Sequence, residues 1–257
     1  MRFRIAIAVL TVLLFSVNTG VCQESSPALK DNTFIMAIGR PENDYLGKWQ
    51  RLTYKEIFNR IGIKVEFRDY PPKRASMEAD AGNVDGEPGR PHRYAAEHPN
   101  LIRVEGSPFF QNFSAFAAKD SIPLLKGWDS LKGTDYKVEY RRGVTTCETN
   151  LSKYVTKENL TDITDPIQGL KKLASGRIDL FVYDEEWILP LLQTPEFKDS
   201  KIRSIGLMES VPLYAYLHKK HAASALKMAE VIKAMKTEGL IEQYRMMLDK
   251  EFGIVRK

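Results

Sequence analysis

The sequence predicts an α/β protein built from open, mainly parallel sheets with helices on their faces. Two observations carry that prediction. Short apolar runs that read as buried strands alternate with segments whose apolar residues recur at helical spacing. Two stretches far apart, AGNVDGEPGR (81–90) and SGRIDLFVYD (175–184), repeat one order: small residue, glycine, two residues, aspartate, then strand. That echo predicts two similar lobes, each with strands ending near a shared cleft, where open α/β sheets hold ligands.

The elements follow in order. TFIMAI (33–38) is apolar, ends at Gly39 and reads as the first strand. Tyr54, Ile57, Phe58 and Ile61 fall on one helical face, with Gly62 at its end. Lys64 to Phe67 reads as a second strand, and Pro71 and Pro72 open a second helix that Gly82 closes. Val84 leads a third short strand, followed by a glycine-rich loop carrying Glu87, Arg90 and Arg93. A second set then begins. Lys137 to Tyr140 reads as a strand, Arg142 to Thr146 as its turn into a helix, and Asp179 to Tyr183 as a buried strand after another helix. LYAYLH (213–218) is a returning strand, and amphipathic helices on either side of Gly239 finish the chain.

The first 22 residues have another character. Arg2 and Arg4 precede the apolar run Ile5–Val17, and small residues stand before Gln23, the pattern of a secretory signal peptide. Val21 before Cys22 argues against lipidation there. No later stretch has the length and apolarity of a membrane span. The mature chain is therefore expected in the periplasm. The formal net charge is +5, two of it from Arg2 and Arg4, too mild and too evenly spread for nucleic-acid binding. Cleavage would leave Cys147 as the lone cysteine, so packing rather than a disulfide must hold the fold.

The order of these elements resembles the polar amino-acid-binding family of periplasmic solute-binding proteins, family 3, with the type II fold. The resemblance rests on TFIMAIG, PPKRASMEADAGNVDG, NLIRVEGSPF before FSAFAAK, SLKGTDYKVEYRRGVTT, GLKKLASGRIDLFVYD, LYAYLHKKH and EGLIEQYR. It implies two lobes joined by two crossing strands near Ala115–Ala118 and Tyr214–Leu217, with a ligand in the cleft. On that reading residues 1–22 are the signal, 23–117 the first part of lobe one, 118–213 lobe two, and 214–257 the return to lobe one. It also implies capture of a small polar solute, an amino acid or related carboxylate, by a monomer that passes it to an ABC permease. Two alternatives stay open: a cleft enzyme of the prephenate dehydratase type, and a ligand sensor docking on a membrane receptor. No cofactor or metal is expected.

The residues fit that chemistry in the following way. An anionic or zwitterionic ligand calls for arginine, whose planar fork offers several donors. The family resemblance implies such a clamp before the FSAFAAK strand, and both Arg90 and Arg93 are candidates. Gly143 and Thr145 stand at a strand-to-helix turn, where free N–H groups favour anions, with Arg142 beside them. The resemblance makes Asp184 the partner of a ligand ammonium, and its plain alternative is a helix N-cap. Tyr70 and Arg74 sit at the same sheet edge, and Glu42 and Tyr45 follow the first strand. Glu87 or Asp184 would be the acid or base if the cleft were catalytic. His218 and His221 are spaced like a metal pair but have no evident third ligand, and Cys147 lacks a base.

Overall fold

The computed structural model describes residues 33–256; residues 1–22, expected from the sequence to be a signal peptide, lie outside them. The described residues form nine strands, β1 (Thr33–Ile38), β2 (Lys64–Asp69), β3 (Gly86–Pro91), β4 (Leu101–Arg103), β5 (Phe109–Ala117), β6 (Val138–Arg141), β7 (Leu160–Ile163), β8 (Leu180–Asp184) and β9 (Arg203–His218). Seven α-helices accompany them: α1 (Tyr45–Arg60), α2 (Pro72–Asp80), α3 (Thr145–Tyr154), α4 (Pro166–Ala174), α5 (Glu185–Leu192), α6 (Ala222–Thr237) and α7 (Leu240–Glu251). The strands make one sheet in the order β2-β1-β3-β9-β5-β8-β6-β7, with β4 added against β9.

Pairing is parallel at both ends of the sheet, β2-β1-β3 and β8-β6-β7, and antiparallel through the middle. The middle is made by two long strands. β9 pairs with β3 through Leu213–Leu217 and with β5 through Arg203–Leu213, so a single strand serves both ends of the sheet. Only its last six residues, LYAYLH, carry a strand pattern in the sequence. Its first part, RSIGLMES, mixes polar, glycine and apolar residues and has no period of its own, because its two faces meet different surroundings.

Helix packing follows the apolar faces. Tyr54, Ile57 and Phe58 of α1 are fully buried and meet Phe34, Phe109, Met228, Ile232 and Leu248 in the core under α1, α6 and α7. Each such side chain contributes about 1.5–3 kcal/mol on leaving water. The other face of this end is covered by α2, through Ala75 and Ala79 against Ala37 and Tyr216. At the far end, α3 packs Cys147 and Leu151 on Phe113, Tyr140 and Val182. Opposite it, α4 and α5 pack Leu170, Leu173 and Ile188 on Phe116 and Phe181. Caps fix the helix starts: the Asp165 side chain accepts from Ile167 N ahead of Pro166, and Asp184 does the same for Glu186 N.

One element lies elsewhere than the sequence suggests. β3 begins at Gly86, not Val84, so the glycines sit within the strand and not in a loop beyond it. Val84 is apolar because it packs with Ala75 and Ala79, not because it starts the ladder. A Cβ at Gly86 would stand 2.5 Å from the Tyr216 carbonyl oxygen, and one at Gly89 would stand 2.5 Å from the Gln50 amide. The close approach these glycines allow is to the protein's own chain. The register shifts between Glu87 and Arg90, a bulge that turns the strand end outward.

Candidate functional site

The carboxyl ends of β1 and β8 come together. Arg40, two residues beyond β1, places its guanidinium 3.6 Å from the Asp184 carboxylate that ends β8. Asp184 is almost wholly buried, and its oxygens also accept from Gln111 Nε2 at 2.9 Å and Glu186 N at 3.0 Å. Burial pushes its carboxyl above the usual range, while Arg40 and these hydrogen bonds pull the other way. Asp184 thus caps α5 and faces Arg40 at the same time. Its lone pairs are largely taken, so a ligand ammonium would have to share them with Arg40. Arg40 in turn is held by its backbone, whose carbonyl accepts from Arg51 Nη1 at 3.0 Å.

Arg141 ends β6 and donates to the Tyr183 hydroxyl at 2.9 Å. Next to it Gly143 adopts φ +80° and is exposed, which lets the chain turn sharply into α3. Thr145 is the first residue of α3, also exposed, and neither it nor Thr146 caps the helix. Arg142 points away from this turn: it pairs with Asp162 on β7 and is two-thirds exposed.

The two candidate arginines are held differently. Arg90 donates from Nε and Nη2 to Glu87 Oε2 at 2.8 and 2.6 Å, and from Nη2 to the Pro72 carbonyl and Ser76 Oγ. Its guanidinium also lies over the Tyr94 ring, 5.1 Å from the centroid. Glu87 is buried and accepts from the Tyr94 hydroxyl as well. Arg90 thus neutralises a buried acid at the strand end. Arg93 is exposed on the 3₁₀ turn after β3 and makes no hydrogen bond or ion pair among the described residues.

The remaining candidates separate. Arg74 is 65% exposed, pairs with Glu78 and stacks over Tyr70, a surface arrangement at the start of α2. Tyr45 is core: its hydroxyl donates to Asp249 Oδ1 at 2.6 Å. Glu42 lines a shallow groove with α1 and α7. His221 meets Asp85 at 2.6 Å, and no group of three metal-ligating side chains occurs among the described residues. Cys147 is buried, and burial pushes its thiol well up. Arg40, Gln111, Arg141 and Tyr183 were not singled out from the sequence. Arg141 ends β6 and Arg40 stands two residues beyond β1, the kind of position at which open α/β sheets hold ligands.

No protein-family model matches the chain. A curated relative, an uncharacterized protein of Shewanella oneidensis, is 35% identical over 212 residues, which cover 82% of this chain and 80% of the relative. Among solved structures, the L-cystine solute receptor of Neisseria gonorrhoeae in its unliganded open conformation superposes with a TM-score of 0.67 at 16% identity, covering 88% of this chain and 94% of that one. A histidine kinase sensor domain similar to periplasmic binding proteins does so with a TM-score of 0.61 at 18% identity, covering 88% and 98%. The fold is that of type II periplasmic binding proteins. No helix among the described residues is long and apolar enough to cross a membrane.

Proposed function

The chain belongs to the family of the uncharacterized Shewanella oneidensis protein, and from its fold and strand-end residues we propose that it is a periplasmic solute-binding protein that captures a small carboxylate-bearing solute, an amino acid or related acid, for an ABC importer. The observation that carries this reading is the meeting of the two sheet ends at Arg40 and Asp184. A guanidinium from one end and a buried carboxylate from the other form a polar floor at the strand ends, where such folds hold ligands. The uncapped start of α3, with Arg141 just before it, adds N–H donors of the right sign for an acid group. A binding role suits the acids better than a catalytic one, since Glu87 and Asp184 are each tied to an arginine and buried.

A thermal-shift screen of the purified protein against acidic, zwitterionic and basic amino acids and simple dicarboxylates tests this. The expected result is stabilisation by carboxylate-bearing compounds, weakened in Arg40→Gln and Asp184→Asn. If no compound raises the melting temperature, or hits bind equally well to both variants, the reading fails. The likeness to a kinase sensor domain favours one second reading, a sensor that uses the same cleft and reports to a membrane receptor. Co-purification from detergent extracts with a permease or with a receptor kinase separates the two.

A further inference from the structure

The strand-end site holds more positive charge than its own acid takes up. Arg40 meets Asp184 at 3.6 Å, longer than the roughly 2.7–2.9 Å of a charge-assisted hydrogen bond. Its guanidinium donates no hydrogen bond among the described residues. Arg141 donates one, to the Tyr183 hydroxyl at 2.9 Å, and its guanidinium lies 5.7 Å from the centroid of that ring. It pairs with no carboxylate among the described residues. A guanidinium carries about five N–H donors, so most of what the two forks offer is unspent. Burial raises the Tyr183 phenol above its usual range and Asp184 adds to the rise, while Arg141 and Arg40 both oppose it. Both cations therefore lie within electrostatic reach of one hydroxyl.

The acid, by contrast, is closed. The Asp184 side chain is 2% exposed, with Gln111 Nε2 on one oxygen and Glu186 N on the other. The Arg40 side chain beside it is 29% exposed, so an entering ligand meets the guanidinium before the carboxylate. Neighbouring charges leave this balance as it is. Arg142 is paired with Asp162, Arg90 with Glu87 and Arg74 with Glu78. Glu42 lies in the groove that Lys48 and Lys55 also line. The exposed Glu148, in the first turn of α3, is offset in formal charge by the exposed Arg93.

We propose, resting on the solute-binding reading above, that the ligand is a dianionic acid without an amino group, one carboxylate on Arg40 and the other on Arg141. An amino acid would bring its ammonium to two guanidiniums and to a carboxylate whose oxygens are already engaged. A second carboxylate instead takes up donors that the fold leaves open.

The test is a calorimetric titration of the purified protein with succinate and glutarate, and with aspartate, glutamate and butyrate for comparison. Aspartate and glutamate are the two diacids with one amino group added, and butyrate lacks the second acid. The expected result is saturable one-to-one binding of a diacid, about tenfold or more tighter than its amino counterpart and than butyrate. Arg141→Gln, at an exposed position, should weaken the diacid by about tenfold or more and erase its advantage over butyrate. Arg141→Lys, which keeps the charge, should bind the diacid more tightly than Arg141→Gln does. The ligand series decides by itself should a variant fold poorly. The proposal is overturned by an amino acid or butyrate that binds as tightly as the diacid, or by indifference of the diacid to Arg141→Gln. Binding of amino acids or monoacids with no saturable binding of either diacid overturns it and leaves the solute-binding reading standing. No binding of any carboxylate overturns both.

Discussion

Replacing Arg90 by alanine is expected to damage the fold before it says anything about ligand. Glu87, 1% exposed, accepts two hydrogen bonds from Arg90 and one from Tyr94. In Arg90→Ala the carboxylate keeps only the phenol. Removing one partner of a buried ion pair typically costs 3–5 kcal/mol. The Arg90 side chain is itself 23% exposed, so water reaches the gap and the lower end, about 3 kcal/mol, is the better expectation. For a domain of this size that is a fall of roughly 6–12 °C in melting temperature. Adding Glu87→Gln removes the stranded charge, so the double variant should recover at least about 1 kcal/mol over Arg90→Ala. Thermal and urea unfolding by circular dichroism measure both. An Arg90→Ala variant that melts within 2 °C of wild type, or a double variant no more stable than the single, would refute this account of the pair. Arg90→Lys is the better probe of ligand contact, since it keeps a charge beside Glu87.

Other outcomes follow from the same coordinates. Arg40→Gln should weaken binding of a carboxylate ligand about 10–100-fold, the worth of one charge-assisted hydrogen bond, as read by calorimetry. Arg256→Ala strands Glu186, while Asp249 keeps Arg245 at 2.6 Å and the Tyr45 hydroxyl, and should cost about 3 kcal/mol in urea unfolding, with the deficit shrinking in acid as the freed Glu186 carboxyl takes a proton. Burial works against ionisation of Asp85, but hydrogen bonds from Ile35 N at 2.8 Å, His221 and Lys220 hold its pKa below the ordinary value. Its stabilisation is thus present above the ordinary carboxyl range and is lost as pH falls through the depressed folded value. The gap in urea midpoint between wild type and Asp85→Asn should be constant near neutrality and narrow below about pH 4. Gly206→Ala would set a Cβ 1.8 Å from the Leu125 carbonyl oxygen and should cost about 3 kcal/mol, the upper end for overpacking, by thermal melt.

The fold was legible where local pattern and tertiary role agree. Tyr54, Ile57 and Phe58 share a helical face and bury it, and Pro72 opens a helix as its position predicts. Legibility failed where a residue's role depends on a distant partner. Val84 resembles a strand start, but the ladder begins at Gly86 because Tyr216 and Leu217 set the pairing. Arg142 resembles a site residue until β7 brings Asp162 against it. Arg40 attracts no notice in IGRPEN, since its partner Asp184 ends β8, far along the chain. Arg90 and Arg93 looked alike because nothing near them in sequence reveals that α2 and the following turn close on one and leave the other in water.

The sixteen-residue strand β9 also dictates the order in which the molecule can form. β3 finds its antiparallel neighbour only when β9 arrives, and β5, paired with β8 on one side, waits for β9 on the other. β1, β2 and β3 can meet one another early, but one edge of that trio stays open until nearly the whole chain is available. Contacts so remote in sequence slow folding. During synthesis β1, β2 and β3 are thus a sheet without its closing strand, and a truncation before Arg203 should leave both ends of the molecule unfinished rather than one.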